Sequence, residues 1–147
     1  MRSTRLFTLL AALIVVALFA AGCSDSSTDT TTAGDVDAAA GVVFGRGSVP
    51  DTMPDSFPIP DEAVIGATLV DTNRGLTEMI VTFPASVQAV VKYYEENLPP
   101  NGYEITRSGG SDADWVMAFN GEGVDGVLRL KTGGSGLSSG TVQLTES

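Results

Sequence analysis

The chain carries one thiol and no imidazole, and these two facts bound the chemistry it can perform. A protein without histidine lacks the commonest general base and the commonest metal ligand. Its serines have no imidazole to activate them. The serine–lysine alternative is also missing, since no Ser-x-x-Lys occurs and Lys92 and Lys131 stand unsupported. Asp112 and Asp114 have the spacing of alternate calcium ligands, but the further oxygens and closing glutamate of such a loop are not in the sequence. Gly121-Glu122-Gly123-Val124-Asp125-Gly126 matches G-x-G-x-x-G letter for letter. A dinucleotide site needs a strand before that motif and a helix after it. Here a strand pattern follows, so Asn120-Gly121 with Gly123 reads as a hairpin turn that needs positive φ. The glycine-rich stretch 133–140 lacks the Gly-Lys-Ser/Thr ending of a phosphate loop and reads as a hairpin loop. Glu95 and Glu96 are helix neighbours that point apart, and Asp61-Glu62 reads like them as solvated surface. The expectation is a protein with no catalytic residues, no cofactor site and no metal site.

The thiol itself has a context. Arg2 and Arg5 precede thirteen residues, 9–21, uninterrupted by any polar side chain. As a helix this run spans about 20 Å, short of the ~30 Å hydrocarbon core of a bilayer. It suits the apolar region of an export signal, with the arginines holding its start in the cytoplasm. Ala20-Ala21-Gly22-Cys23 follows directly. This segment resembles the lipobox of bacterial lipoproteins, with Ala20 where the family most often has Leu. The small residues suit a peptidase that grips extended backbone in a narrow cleft. The resemblance implies cleavage after residue 22, lipidation of Cys23 through its sulfur, and residence on the outer side of the cell membrane. A diacylglycerol plus an amide-linked chain would hold the protein there firmly.

Loss of residues 1–22 leaves 125 residues, with 6 basic against 18 acidic side chains and a net charge of −12. Such a surface repels phosphate backbones and anionic headgroups, so nucleic acid is excluded as a partner and membrane contact must come from the anchor. Residues 23–51 are rich in Ser, Thr, Asp, Ala and Gly and read as a disordered tether. Val42-Val43-Phe44 is the one apolar cluster in it, fit either to dock on the domain or to add a small strand. Pro54-Asp55-Ser56-Phe57-Pro58-Ile59-Pro60 reads as a stiff, extended polyproline strap whose Phe57 and Ile59 pack on the domain edge.

Residues 52–147 form the single predicted domain. Residues 63–70 and 76–83 alternate as strands, with Ile65, Ala67 and Leu69 assigned to one face of the first. Asp71-Thr72-Asn73-Arg74-Gly75 supplies the turn between them. Ser86 is a plausible N-cap for a helix in which Val87, Val90, Val91, Tyr94 and Leu98 recur at helical spacing, ended by Pro99-Pro100. Strands are then predicted at 103–107, 114–120, 124–132 and 141–145, with Ser108-Gly109-Gly110-Ser111 as a loop. The order β-β-α-β-β-β-β with short turns predicts an α+β two-layer sandwich: a mainly antiparallel sheet packed on one helix. The layout over residues 54–146 resembles small uncharacterised α+β domains of secreted actinobacterial lipoproteins, a resemblance that implies no known activity.

Tyr94, Trp115, Met117 and Phe119 form an apolar stripe read as core packing under the helix, with ligand stacking as the alternative. Val64, Val70, Leu76, Ile80, Val116, Ala118 and Val127 would lie on the opposite sheet face, which is apolar for a wet surface. Either residues 42–59 fold back over that face, or it meets a partner protein, a second copy or a greasy ligand. The expected function is a non-catalytic, lipid-anchored module acting through protein contacts. The second reading is a carrier or sensor of a small apolar ligand or lipid, and the third a hydrolase. A pocket lined by Tyr94, Trp115 and Phe119 would favour the carrier, a flat apolar face the partner, and a buried polar cluster the enzyme.

Overall fold

The computed structural model describes residues 41–147. Seven strands and one helix follow in the order β1 (Val42–Arg46), β2 (Val64–Asp71), β3 (Leu76–Phe83), α1 (Val87–Asn97), β4 (Tyr103–Gly110), β5 (Asp114–Gly121), β6 (Val124–Thr132) and β7 (Ser138–Glu146). All seven strands form one sheet in the order β1-β2-β3-β7-β6-β5-β4, and every neighbouring pair is antiparallel. The fold is the expected α+β two-layer arrangement, with one more strand than the sequence pattern showed.

Helix α1 carries the chain from β3, in the middle of the sheet, to β4 at its far edge. Three hairpins then walk back until β7 closes against β3. The Ser86 hydroxyl accepts from the Ala89 amide at 3.3 Å and caps the helix. Val87, Val90, Val91 and Tyr94 are buried, as their spacing requires. Pro99 and Pro100 divert the chain into a short 3-10 turn, and Gly102 exits it at φ 90°. Beneath the helix lie Met79, Val81, Phe83, Met117, Phe119, Leu128, Leu130, Val142 and Leu144, the inward set of four strands, each no more than 2% exposed.

Three expectations are corrected. The tether does not run to residue 51, because Val42–Arg46 forms edge strand β1 on β2, so the domain begins before residue 52. The proline-rich strap is not extended. It is a chain of turns in which the Met53, Phe57 and Ala63 amides donate back to the carbonyls of Pro50, Pro54 and Pro60. Phe57 goes to the core rather than the edge, its ring centroid 5.9 Å from Tyr94, 5.9 Å from Tyr103 and 5.7 Å from Phe119. Two hydroxyl pairs hold the strap down, Thr52 to Thr77 at 2.6 Å and Ser56 to Tyr103 at 3.1 Å. Finally, the predicted loops at 108–111 and 133–140 are partly strand. A Cβ on Gly110 would lie 2.2 Å from the Asp114 carbonyl oxygen, and one on Gly140 would lie 2.8 Å from the Phe83 ring. These glycines mark close approach within a sheet rather than loop flexibility.

Candidate functional site: the open sheet face

The anticipated stripe divides in two. Tyr94 and Met117 are 0% exposed and Phe119 is 2% exposed, so they fill the core and line no open site. Trp115 is half-buried at the margin of this core, and its indole N–H donates to Ser108 Oγ at 3.0 Å. Ser108 in turn donates to Glu95 Oε1 at 3.0 Å, so β5, β4 and α1 are tied together at the surface. Cys23, the proposed lipidation site, lies outside the described residues.

The acidities that shift belong to tyrosines. Burial raises Tyr94, with Tyr93 adding to it. Burial and then the charge of Asp61 raise Tyr93. Burial raises Tyr103, the Ser56 hydrogen bond opposes this, and Glu122 adds to it. All three are neutral phenols at neutral pH, as an ordinary tyrosine also is. Among the described residues no group of three or more acidic or thiol side chains is placed to hold a metal ion. Gly121 to Gly126 forms the β5–β6 hairpin, with Glu122 at φ 51° and Gly123 at φ 78°, as the turn reading requires. Asp112 lies in the exposed β4–β5 turn and Asp114 begins β5; Ser111 Oγ accepts from the amides of Ala113 and Asp114.

The second sheet face can be read directly from the register, because antiparallel partners project to the same side. One row crosses all seven strands: Phe44, Leu69, Glu78, Gln143, Val127, Ala118 and Arg107. The next contains Ile80, Thr141, Arg129 and Val116, and the one beyond it Val64, Thr82, Ser139, Lys131 and Asp114. The face therefore has three lanes. Strands β1–β3 present Phe44, Val64, Leu69 and Ile80, together with Arg46 and Glu78. Strand β7 presents hydroxyls and an amide. Strands β6–β4 present Arg107, Arg129 and Lys131 around Val116, Ala118 and Val127. Phe44 is 56% exposed, Val64 64% and Ile80 40%.

Sequence reasoning placed six of the seven expected residues on this face and misplaced Val70. Between Ile65 and Thr68 the register slips, so Gly66 and Ala67 together oppose Ile80. This β-bulge reverses the parity of the rest of β2. Ile65, Thr68 and Val70 point to the helix side, and Leu69 moves to the open side. Gly66 was the available signal, since a glycine inside a strand pattern marks a bulge or close approach. Phe44 was missed because its strand was assigned to the tether.

Residues 42–59 do not cover this face. Strand β1 lengthens the sheet, and Met53 and Phe57 pack on the helix side. Arg107, Arg129 and Lys131 form no ion pair among the described residues, where the pairs are Arg74 with Asp71 at 4.0 Å and Lys92 with Glu96 at 3.8 Å. No helix among the described residues is long and apolar enough to cross a membrane. No family model matches the chain, and no curated protein or solved structure matches it either.

Proposed function

We propose that this protein is a lipid-anchored, extracytoplasmic module without catalytic activity, held at the cell membrane through Cys23, whose open sheet face docks a partner protein. The observation that carries the reading is the lane pattern: exposed Phe44, Val64 and Ile80 with half-buried Leu69 on one side, interrupted by Arg46 and Glu78, and on the other Arg107, Arg129 and Lys131, which form no ion pair among the described residues. Exposed apolar residues grouped on one face favour contact over solvation. The cations are unusual in a chain whose net charge is −10. They fit a partner that offers an apolar ridge beside carboxylates.

A second copy fits less well. A two-fold axis along the strands would lay the apolar lane on the cationic lane. An axis across the strands would lay cations on cations. The carrier reading loses support because Tyr94, Met117 and Phe119 are closed in the core.

The test uses the full chain in its native membrane with a photocrosslinking residue at Ile80 and, as control, at Lys92 on the helix. Crosslinks from position 80 that disappear with Leu69→Glu and with Arg129→Glu are expected. Equal capture from both positions would refute the docking face. Independently, mass spectrometry should find the Cys23 sulfur acylated, and a bare thiol would refute the anchor.

A further inference from the structure

A groove of about 470 Å³ opens on the opposite layer, away from the docking face. Three segments meet there: Pro60-Asp61-Glu62 from the strap, Phe83-Pro84-Ala85 from the β3–α1 junction, and Ala89, Val90 and Tyr93 from the first turns of α1. Its floor is apolar, since the Phe83 and Val90 side chains that reach it are otherwise buried at 1% and 3% exposure. One wall is the Tyr93 ring, fixed edge-on against Tyr94 at a centroid distance of 5.3 Å and an angle of 89°. The rim carries Asp61 and Glu62, both exposed. No lysine or arginine lines it, and Lys92, the neighbour of Tyr93 in the chain, reaches Glu96 instead.

The volume lies within the ~300–1,000 Å³ range of small-molecule sites. The charge selects the ligand. The start of α1 contributes about half a positive charge, and its first turn holds no acidic residue of its own. Two carboxylates outweigh that dipole, and the groove is left net negative. An aromatic face beside carboxylates is the surroundings that an alkylammonium prefers, because the ring quadrupole and the anions attract it together. The proximity of Asp61 to the Tyr93 ring is independently visible in the upward push that its charge gives the phenol.

We propose that this groove binds a small organic ammonium ion with an apolar or aromatic body. The cation sits between the Asp61 and Glu62 carboxylates and the Tyr93 ring, and the body lies over Phe83, Val90 and Pro84. Bound there, the ligand bridges strap and helix. The proposal is independent of the docking face, because the groove residues share no strand position with it.

The test is an amide NMR titration of the full-length chain with benzyltrimethylammonium, and with benzyl alcohol as its neutral counterpart. Shifts centred on Ala85, Ala89 and Tyr93 are expected. Benzyl alcohol should bind about tenfold more weakly, and Asp61→Asn with Glu62→Gln should weaken the cation by about tenfold, the loss that two solvent-screened charge contacts support. Ala89→Phe, a change on the exposed side of the helix, should fill the groove and abolish binding. All the altered residues are exposed, and circular dichroism melts check that the variants fold; if Ala89→Phe does not, the amide pair carries the test. No shifts at these residues, equal binding of the alcohol, or a cation affinity unchanged in the amide pair would each overturn the proposal.

Discussion

Replacing Tyr94 by phenylalanine should stabilise the protein, against the usual direction of core substitutions. The Tyr94 side chain is 0% exposed, and its hydroxyl has no hydrogen-bond partner among the described residues. Burying such a group without a partner costs about 1–3 kcal/mol. Removing the oxygen recovers that penalty and leaves the ring in place against Phe57, Phe83 and Tyr93. The void left is roughly 15 Å³, worth about 0.4 kcal/mol at ~24 cal/mol per Å³. The net gain at neutral pH is therefore about 1 kcal/mol. Urea unfolding would read it as a higher midpoint at unchanged slope.

Alkaline pH supplies a second readout of the same hydroxyl. Burial raises the Tyr94 phenol above its ordinary value. Below about pH 10 the folded and unfolded chains both keep this proton, and it adds no pH dependence. Above that value the unfolded chain releases the proton while the buried phenol retains it. Stability then falls as pH rises, by at most about 1.4 kcal/mol per unit for this group. Phenylalanine cannot contribute to that fall, so the advantage of Tyr94→Phe should widen to about 2 kcal/mol near pH 11. A variant less stable than the parent by more than about 1 kcal/mol at pH 7 would show that the hydroxyl is engaged, by water or ligand, and would refute the reasoning. So would alkaline slopes identical in the two proteins.

Three further outcomes are expected. Phe57→Ala should cost about 3–5 kcal/mol in urea unfolding and open residues 48–59 to protease, because the ring is sandwiched by Tyr94, Tyr103 and Phe119; a loss below 1 kcal/mol would mean the strap is dispensable. Gly126→Ala should destabilise by about 1–3 kcal/mol, since the new Cβ would lie 2.1 Å from the Phe119 ring that covers the glycine. Glu122→Asn should raise the urea midpoint by about 0.5–1 kcal/mol equivalent, because Glu122 holds φ 51° in a two-residue hairpin turn that favours Asn-Gly; no gain would point to a side-chain role for Glu122.

The elements whose residues obey one period were readable in the sequence. Helix α1 is marked by a cap, a buried stripe and a proline stop, and each is a local signal. Strands β3, β5 and β6 alternate without interruption, so their faces follow from counting. The failures share a cause: they depend on contacts distant in sequence. The Gly66–Ala67 bulge changes the parity of β2; Gly66 hints at it locally, but the pairing across to β3 fixes it. Gly110 and Gly140 have loop composition, yet a neighbouring backbone dictates the first and a ring the second. The prolines of the strap suggest extension, but Phe57 finds a pocket among three aromatic rings and the backbone turns to deliver it. The candidate site inherited these errors. Its apolar lane lacked Phe44 and Leu69, and the ammonium groove could not be anticipated, because Asp61 and Tyr93 meet only when the strap lies beside the helix.

The placement of the strap also decides how the open face should be understood. A sheet of seven strands needs cover on one side to form a core, and α1 alone is eleven residues long. The strap supplies the missing cover on that same side by inserting Met53 and Phe57. Both covering segments are thus used on one layer, and the other face stays wet among the described residues. Folding places no apolar demand on such a face, because threonine and charged residues satisfy β geometry there equally well, as β7 demonstrates with Thr141, Gln143 and Thr145. Phe44, Val64, Leu69 and Ile80 contribute little to the core and add a risk of association. Their grouping on three adjacent strands, across the sheet from three cations that form no ion pair among the described residues, is not required by the fold and is what the proposed docking of a partner would account for.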